Sequence, residues 1–147
     1  MHEFKVTRRV EFSETDMAGI VHYSNFFRYM ETAEHGFYRA LGFSVVFNES
    51  NPPIGFPRVH AACDYKKPLR FEDMVEIHLL VREKRTRSIS YAFRFRKIDG
   101  ANSVEVARGI LTIVCVTHRP GGPMEAVTLP ARIADSIEVA PLELLNA

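Results

Sequence analysis

The run Ser24–Leu41, "SNFFRYMETAEHGFYRAL", constrains the fold more than any other stretch. Phe26, Met30, Ala33, Phe37 and Leu41 follow the i, i+4, i+7 spacing, and Phe27, Tyr29, Tyr38 and Ala40 widen the stripe. The spacing predicts an amphipathic helix whose apolar face is too broad for simple surface packing. Gly42 is placed to end it, and Ser24 is placed to cap its start. Gly36, inside the helix, costs about 1 kcal/mol against Ala, which implies a close approach by another backbone.

The flanking sequence supplies the cover. Residues 3–13 alternate, with Phe4, Val6, Val10 and Phe12 on one face and Arg8 interrupting it. Residues 48–57, "NESNPPIGFP", read as a loop. Four strand candidates follow at 58–65, 74–83, 88–97 and 104–118. The third places Ile89, Tyr91, Phe93 and Phe95 on one face; the fourth is apolar on both, as a covered central strand would be. A turn is expected at 98–103 and a bulge at Gly109. "RPGGP" (119–123) stops the last strand, and a short helix is expected around Arg132–Ile137. The order predicts one α+β domain over residues 1–147, with an antiparallel five-stranded sheet curled around one long central helix.

Bulk properties narrow the function. At 147 residues, 46% hydrophobic and 25% charged, the chain has the composition of a soluble globular domain. A net charge of +1 argues against a dedicated nucleic-acid binder, and no stretch is apolar enough to span a bilayer. "MHEFKVTRRVEF" has no apolar signal core, so a cytoplasmic location is expected. Cys63 and Cys115 lack a CxxC spacing and read as buried free thiols. The six histidines never take a metal-ligand spacing, and no cofactor is called for.

The stretch "ETDMAGIVHYSN" (14–25) carries the chemistry. Asp16 lies in a turn seven residues before Tyr23, where the helix begins. The N–H groups at a helix start are unpaired and its dipole is positive there. Such an end can polarise a carbonyl and stabilise the oxyanion formed on attack. A carboxylate across the turn can attack the carbon or deprotonate a water. On spacing alone a turn or cap is the favoured role for Asp16.

"TDMAGIVHYSNFFRYME" (15–31) resembles the Asp-x-x-Gly-[Ile/Val]-Val-aromatic stretch of hotdog-fold acyl-CoA thioesterases of the 4-hydroxybenzoyl-CoA thioesterase type. "CDYKKPLRFEDMVEI" (63–77) is similar to that family's Tyr-x-x-Pro-x-x-x-x-Asp strand entry. The resemblance covers roughly residues 4–130 and implies the hotdog fold. It implies that Asp16 is the nucleophile or general base, that the Tyr23 backbone N–H binds the thioester oxygen, and that Gly19 lets substrate approach. It further implies an acyl-coenzyme A substrate (acyl-carrier protein is the other carrier) and a homodimer or homotetramer with sites at the subunit interface. One branch has Tyr-His where this chain has His22-Tyr23, and the aromatic-acyl branch has Pro where this chain has Ser24, so the acyl group stays open.

Other candidates are His22, beside the helix start, and His60, on the second strand, as pocket residues. Arg85 and Arg87, at the hairpin tip, suit the phosphates of coenzyme A. Glu31 and Glu34 read as the polar helix face with Arg28 and Arg39. A hydratase or dehydratase, and an acyl-CoA-binding protein without turnover, are the alternatives to a thioesterase.

Overall fold

A computed structural model describes residues 1–47, 49–117 and 119–147. Strand β1 (Glu3–Arg9) leads through a 3₁₀ turn at Phe12–Glu14 into helix α1 (Asn25–Ala40). Then come β2 (Ile54–Gly55), β3 (Arg58–Tyr65), β4 (Met74–Lys84), β5 (Ser88–Asp99), β6 (Asn102–Val114) and β7 (Val116–Thr117). Two single-turn helices, α2 (Ala131–Ala134) and α3 (Leu142–Leu145), end the chain. The main sheet has the order β1-β4-β5-β6-β3, antiparallel throughout.

The core lies between α1 and one sheet face. Ile89, Tyr91, Phe93 and Phe95 line that face of β5 and are buried, as their alternation predicts. Phe26, Tyr29, Met30, Ala33, Phe37 and Tyr38 of α1 are buried over the sheet. The expected long central helix is corrected to one of 16 residues, about four and a half turns, because Ser24 and Leu41 lie outside it as flanking caps. The other helices span four residues each. Leu41, Gly42 and Phe43 close α1: the Gly42 N–H donates to the Arg39 carbonyl at 3.0 Å and the Phe43 N–H to that of Tyr38 at 2.9 Å. This two-bond closure needs a left-handed residue, and Gly42 has φ +88°.

Several local expectations change. The loop at 48–57 contains β2, which pairs with β7. The strand read as 104–118 therefore breaks at Cys115, where the chain leaves the main sheet; Asn48 and His118 lie outside the described residues. The turn at 98–103 contracts to Gly100–Ala101 as β5 and β6 extend. Gly109 is not a bulge. It keeps regular register with Phe93 and Cys63, and its missing side chain makes room for Met30, whose Cε would lie 2.2 Å from an added Cβ. Gly36 faces the ring of Phe4 rather than a backbone. Phe12 leaves the inner face because β1 ends at Arg9, and it stands 74% exposed, edge-on to Phe71.

Candidate active site

The turn from Glu14 to Asn25 is held by backbone bonds on three sides. The Asp16 N–H donates to the Ile20 carbonyl at 2.9 Å and the Gly19 N–H to that of Asp16 at 3.0 Å. Asp16 Oδ1 accepts from the Ala18 N–H at 2.8 Å. Gly19 closes the turn at φ +79°, where a side chain would be strained. The Val21 N–H donates to the Leu69 carbonyl at 2.8 Å and binds the turn to the β3–β4 connection.

Glu14 is the anchor. Its Oε1 accepts from Tyr29 Oη at 2.9 Å and the Glu11 N–H at 2.8 Å, and its Oε2 accepts from Arg8 at 2.7 Å. Its carbonyl accepts from the His22 N–H at 2.9 Å and from Asn25 Nδ2 at 2.8 Å. Burial, then the Glu14 hydrogen bond, pushes the Tyr29 hydroxyl far up, so it stays a donor at any ordinary pH. Arg8 does not spoil the inner face, because its guanidinium stacks on the Tyr29 ring while pairing with Glu14.

The helix start is less open than its sequence implies. The N–H groups of Asn25, Phe26 and Phe27 donate back to the carbonyls of His22, Tyr23 and Ser24. Ser24 makes no side-chain cap; its Oγ lies 2.8 Å from His22 Nδ1. Among the described residues the Tyr23 N–H is left without an acceptor and Asp16 Oδ2 without a donor. Tyr65 Oη donates to the Tyr23 carbonyl at 2.9 Å and holds the Tyr23–Ser24 peptide, next to the one that carries the Tyr23 N–H; burial pushes its pKa up to about 12.

Asp16 and Tyr23 line one cleft of about 530 Å³. Its apolar floor is Ile20, Val21, Phe26 and Leu69, and Tyr65, Lys66, Lys67 and Arg70 rim it. A carboxylate with a spare oxygen, an unpaired N–H and an apolar floor suit attack on an activated acyl carbonyl.

The thioesterase-like superfamily model matches residues 10–137, which span the turn, the helix and every strand of the main sheet except β1. The chain belongs to that superfamily. It is similar to the 1,4-dihydroxy-2-naphthoyl-CoA hydrolase of Nostoc punctiforme, 26% identical over 135 residues, covering 92% of this chain and 86% of that one. Among solved structures it is similar to a gentisyl-coenzyme A thioesterase, with TM-score 0.74 and 31% identity, covering 90% of this chain and 98% of the other. The 4-hydroxybenzoyl-CoA thioesterase of Pseudomonas sp. strain CBS-3 shares the fold, with TM-score 0.78 and 22% identity over 92% of this chain and 99% of that one.

Within this member of the superfamily, Asp16, Gly19 and Tyr23 share the turn, but the other candidates do not all join them. His22 half-stacks on the Tyr23 ring at 4.4 Å and bonds Ser24, so it flanks the site. His60 is exposed on β3. Arg85 pairs with Glu83 at the β4–β5 tip, and Arg87 is exposed there; neither lines the cleft of its own chain. Glu34 is not on the polar face: it is 1% exposed, one oxygen pairing with Arg58 and the other without a partner among the described residues. Its position four residues after Met30 puts it on the buried stripe, a signal present in the spacing. Glu14, Tyr65, Lys67 and Arg70 were missed. The first two act through partners distant in sequence, and the last two lie in "YKKPLR", whose local pattern marks only a strand entry. Cys63 and Cys115 are free thiols, half-buried and buried. Among the described residues no helix is long and apolar enough to cross a membrane.

Proposed function

We propose that this protein is an acyl-CoA thioesterase that hydrolyses aromatic or short-to-medium acyl-CoA, as a single domain over residues 1–147. One observation carries the reading: Asp16, with a spare carboxylate oxygen, and Tyr23, whose N–H is unpaired among the described residues, line the same apolar-floored cleft. The thioester carbonyl is placed with its oxygen on the Tyr23 N–H and its carbon toward Asp16 Oδ2. The carboxylate attacks to give an anhydride that water opens, or it takes a proton from the attacking water. In either route coenzyme A leaves as the thiol, and the N–H holds the charge that grows on oxygen. Gly19 leaves the approach to the turn open.

The same reading makes the active form a homodimer or homotetramer, in which a second copy completes each cleft. Tyr23, Met17, Phe12 and Phe71 are large apolar residues exposed around the turn, which supports a covering partner. His60, Arg85 and Arg87 would reach a cleft through that partner, the arginines meeting the nucleotide phosphates. Acyl-carrier protein remains the other carrier, and the cytoplasm the expected compartment. Thiol release from a panel of aryl, short, medium and long acyl-CoAs tests the activity. Turnover of one class supports the reading, and hydration of an enoyl-CoA without thiol release would replace it with the hydratase.

A further inference from the structure

We infer that Arg70, with Lys67 beside it, is a specificity residue that selects acyl groups carrying a negative charge. This rests on the thioesterase reading of the Asp16 cleft and adds the substrate class to it.

The backbone that carries these two cations is pinned. The Lys66 and Lys67 N–H groups both donate to the Val106 carbonyl, at 2.8 and 3.1 Å. The Arg70 N–H donates to Asp73 Oδ2 at 2.8 Å, and the Asp73 N–H returns to the Arg70 carbonyl at 3.1 Å. Leu69 between them accepts the Val21 N–H, which ties the segment to the Asp16 turn. The side chains, by contrast, are uncommitted. Lys66 pairs with Glu105, but neither Lys67 nor Arg70 has a carboxylate within ion-pair distance among the described residues, Asp16 included.

Their position chooses between possible anions. Arg70 Nη1 lies 4.0 Å from where a Cβ on Gly19 would be, directly over the turn that holds Asp16. The pose proposed here sets the acyl group under this guanidinium and sends the pantetheine arm, with the phosphates, out of the cleft toward the arginines of a second copy. The guanidinium has five donors and no acceptor, and its fork matches a carboxylate in a bidentate way. The apolar floor of Ile20, Val21, Phe26 and Leu69 takes the hydrocarbon between the charge and the carbonyl. The ligand class is an aryl or short aliphatic acyl group with an ionised carboxylate or phenolate.

The test uses size-matched pairs, glutaryl against hexanoyl and carboxybenzoyl against methylbenzoyl, each as the coenzyme A ester and as the pantetheine ester without phosphates. Turnover is measured on the wild type, and binding by calorimetry on Asp16→Asn, so that charge selection is read even where hydrolysis is not. A charge-assisted bond predicts about a tenfold or greater preference for the anionic member in both carriers. The preference should shrink as salt rises, collapse in Arg70→Ala and partly return in Arg70→Lys. Equal handling of the two members, or a preference that survives Arg70→Ala, overturns the inference. So does loss in Arg70→Ala that follows the phosphates rather than the acyl charge. Failure of the wild type to hydrolyse any ester, with charge-selective binding intact, would sink the thioesterase reading alone.

Discussion

Glu14 accepts five hydrogen bonds through its side chain and backbone, and they join β1, the 3₁₀ turn and α1. Glu14→Ala strands Arg8 and the buried Tyr29 hydroxyl at once. We predict a loss of roughly 2–4 kcal/mol in urea unfolding, together with lost thioesterase activity, because the Asp16 turn hangs from it. Stability within about 0.5 kcal/mol of wild type would show that the turn is held without Glu14. The tight turn at Asp16–Ile20 was legible in the sequence because it is a local object, its own bonds spanning at most four residues. Glu14 was not, since its side-chain partners Arg8 and Tyr29 come from a strand and a helix that meet only after folding. Ser24 shows the opposite failure. A good N-cap residue by type, it is drawn instead to His22, and the preceding turn satisfies the helix amides.

The helix α1 carries two predictions. Gly42→Ala forces a side chain into the left-handed region at the helix end and should cost about 1 kcal/mol in thermal unfolding; no cost would mean that the closure tolerates a Cβ. Glu34 gives a pH signature. Burial outweighs the attraction of Arg58 and raises its pKa from 4.5 to about 7. Between those values the folded state binds more protons than the unfolded one, so this contribution is complete below about pH 4.5 and is lost as pH rises through about 7. Urea unfolding from pH 4 to 8 should show a wild-type decline, on the order of 3 kcal/mol at most, relative to Glu34→Gln. Parallel profiles for the two proteins would contradict it. The period of the helix was plain in the sequence, but the ion pair was not, because Arg58 lies 24 residues away.

At the scale of the molecule, alternation in β4 and β5 foretold the inner face, since a two-residue period is insensitive to partner, but not the burial of His78, Leu80, Ser90 and Arg94 on the opposite face. Strand order and the β2–β7 pair depend on contacts across half the chain and left no local mark. The edge strand β3 exposes Arg58, Val59, His60 and Ala61, and an open edge of this kind is ready to pair. With the exposed aromatics around the turn, it predicts a dimer or tetramer by light scattering at micromolar concentration, reduced toward monomer by Val59→Lys. A monomeric wild type with full activity would remove the second copy from the site.

The most direct test of the account is thiol release from the acyl-CoA panel by wild type and Asp16→Asn, with circular dichroism confirming that both fold. Wild type should turn over at least one acyl class and the variant should lose about a hundredfold or more, because the substituted amide can neither attack nor take a proton. Equal hydrolysis by two folded proteins would make Asp16 a turn residue and nothing more.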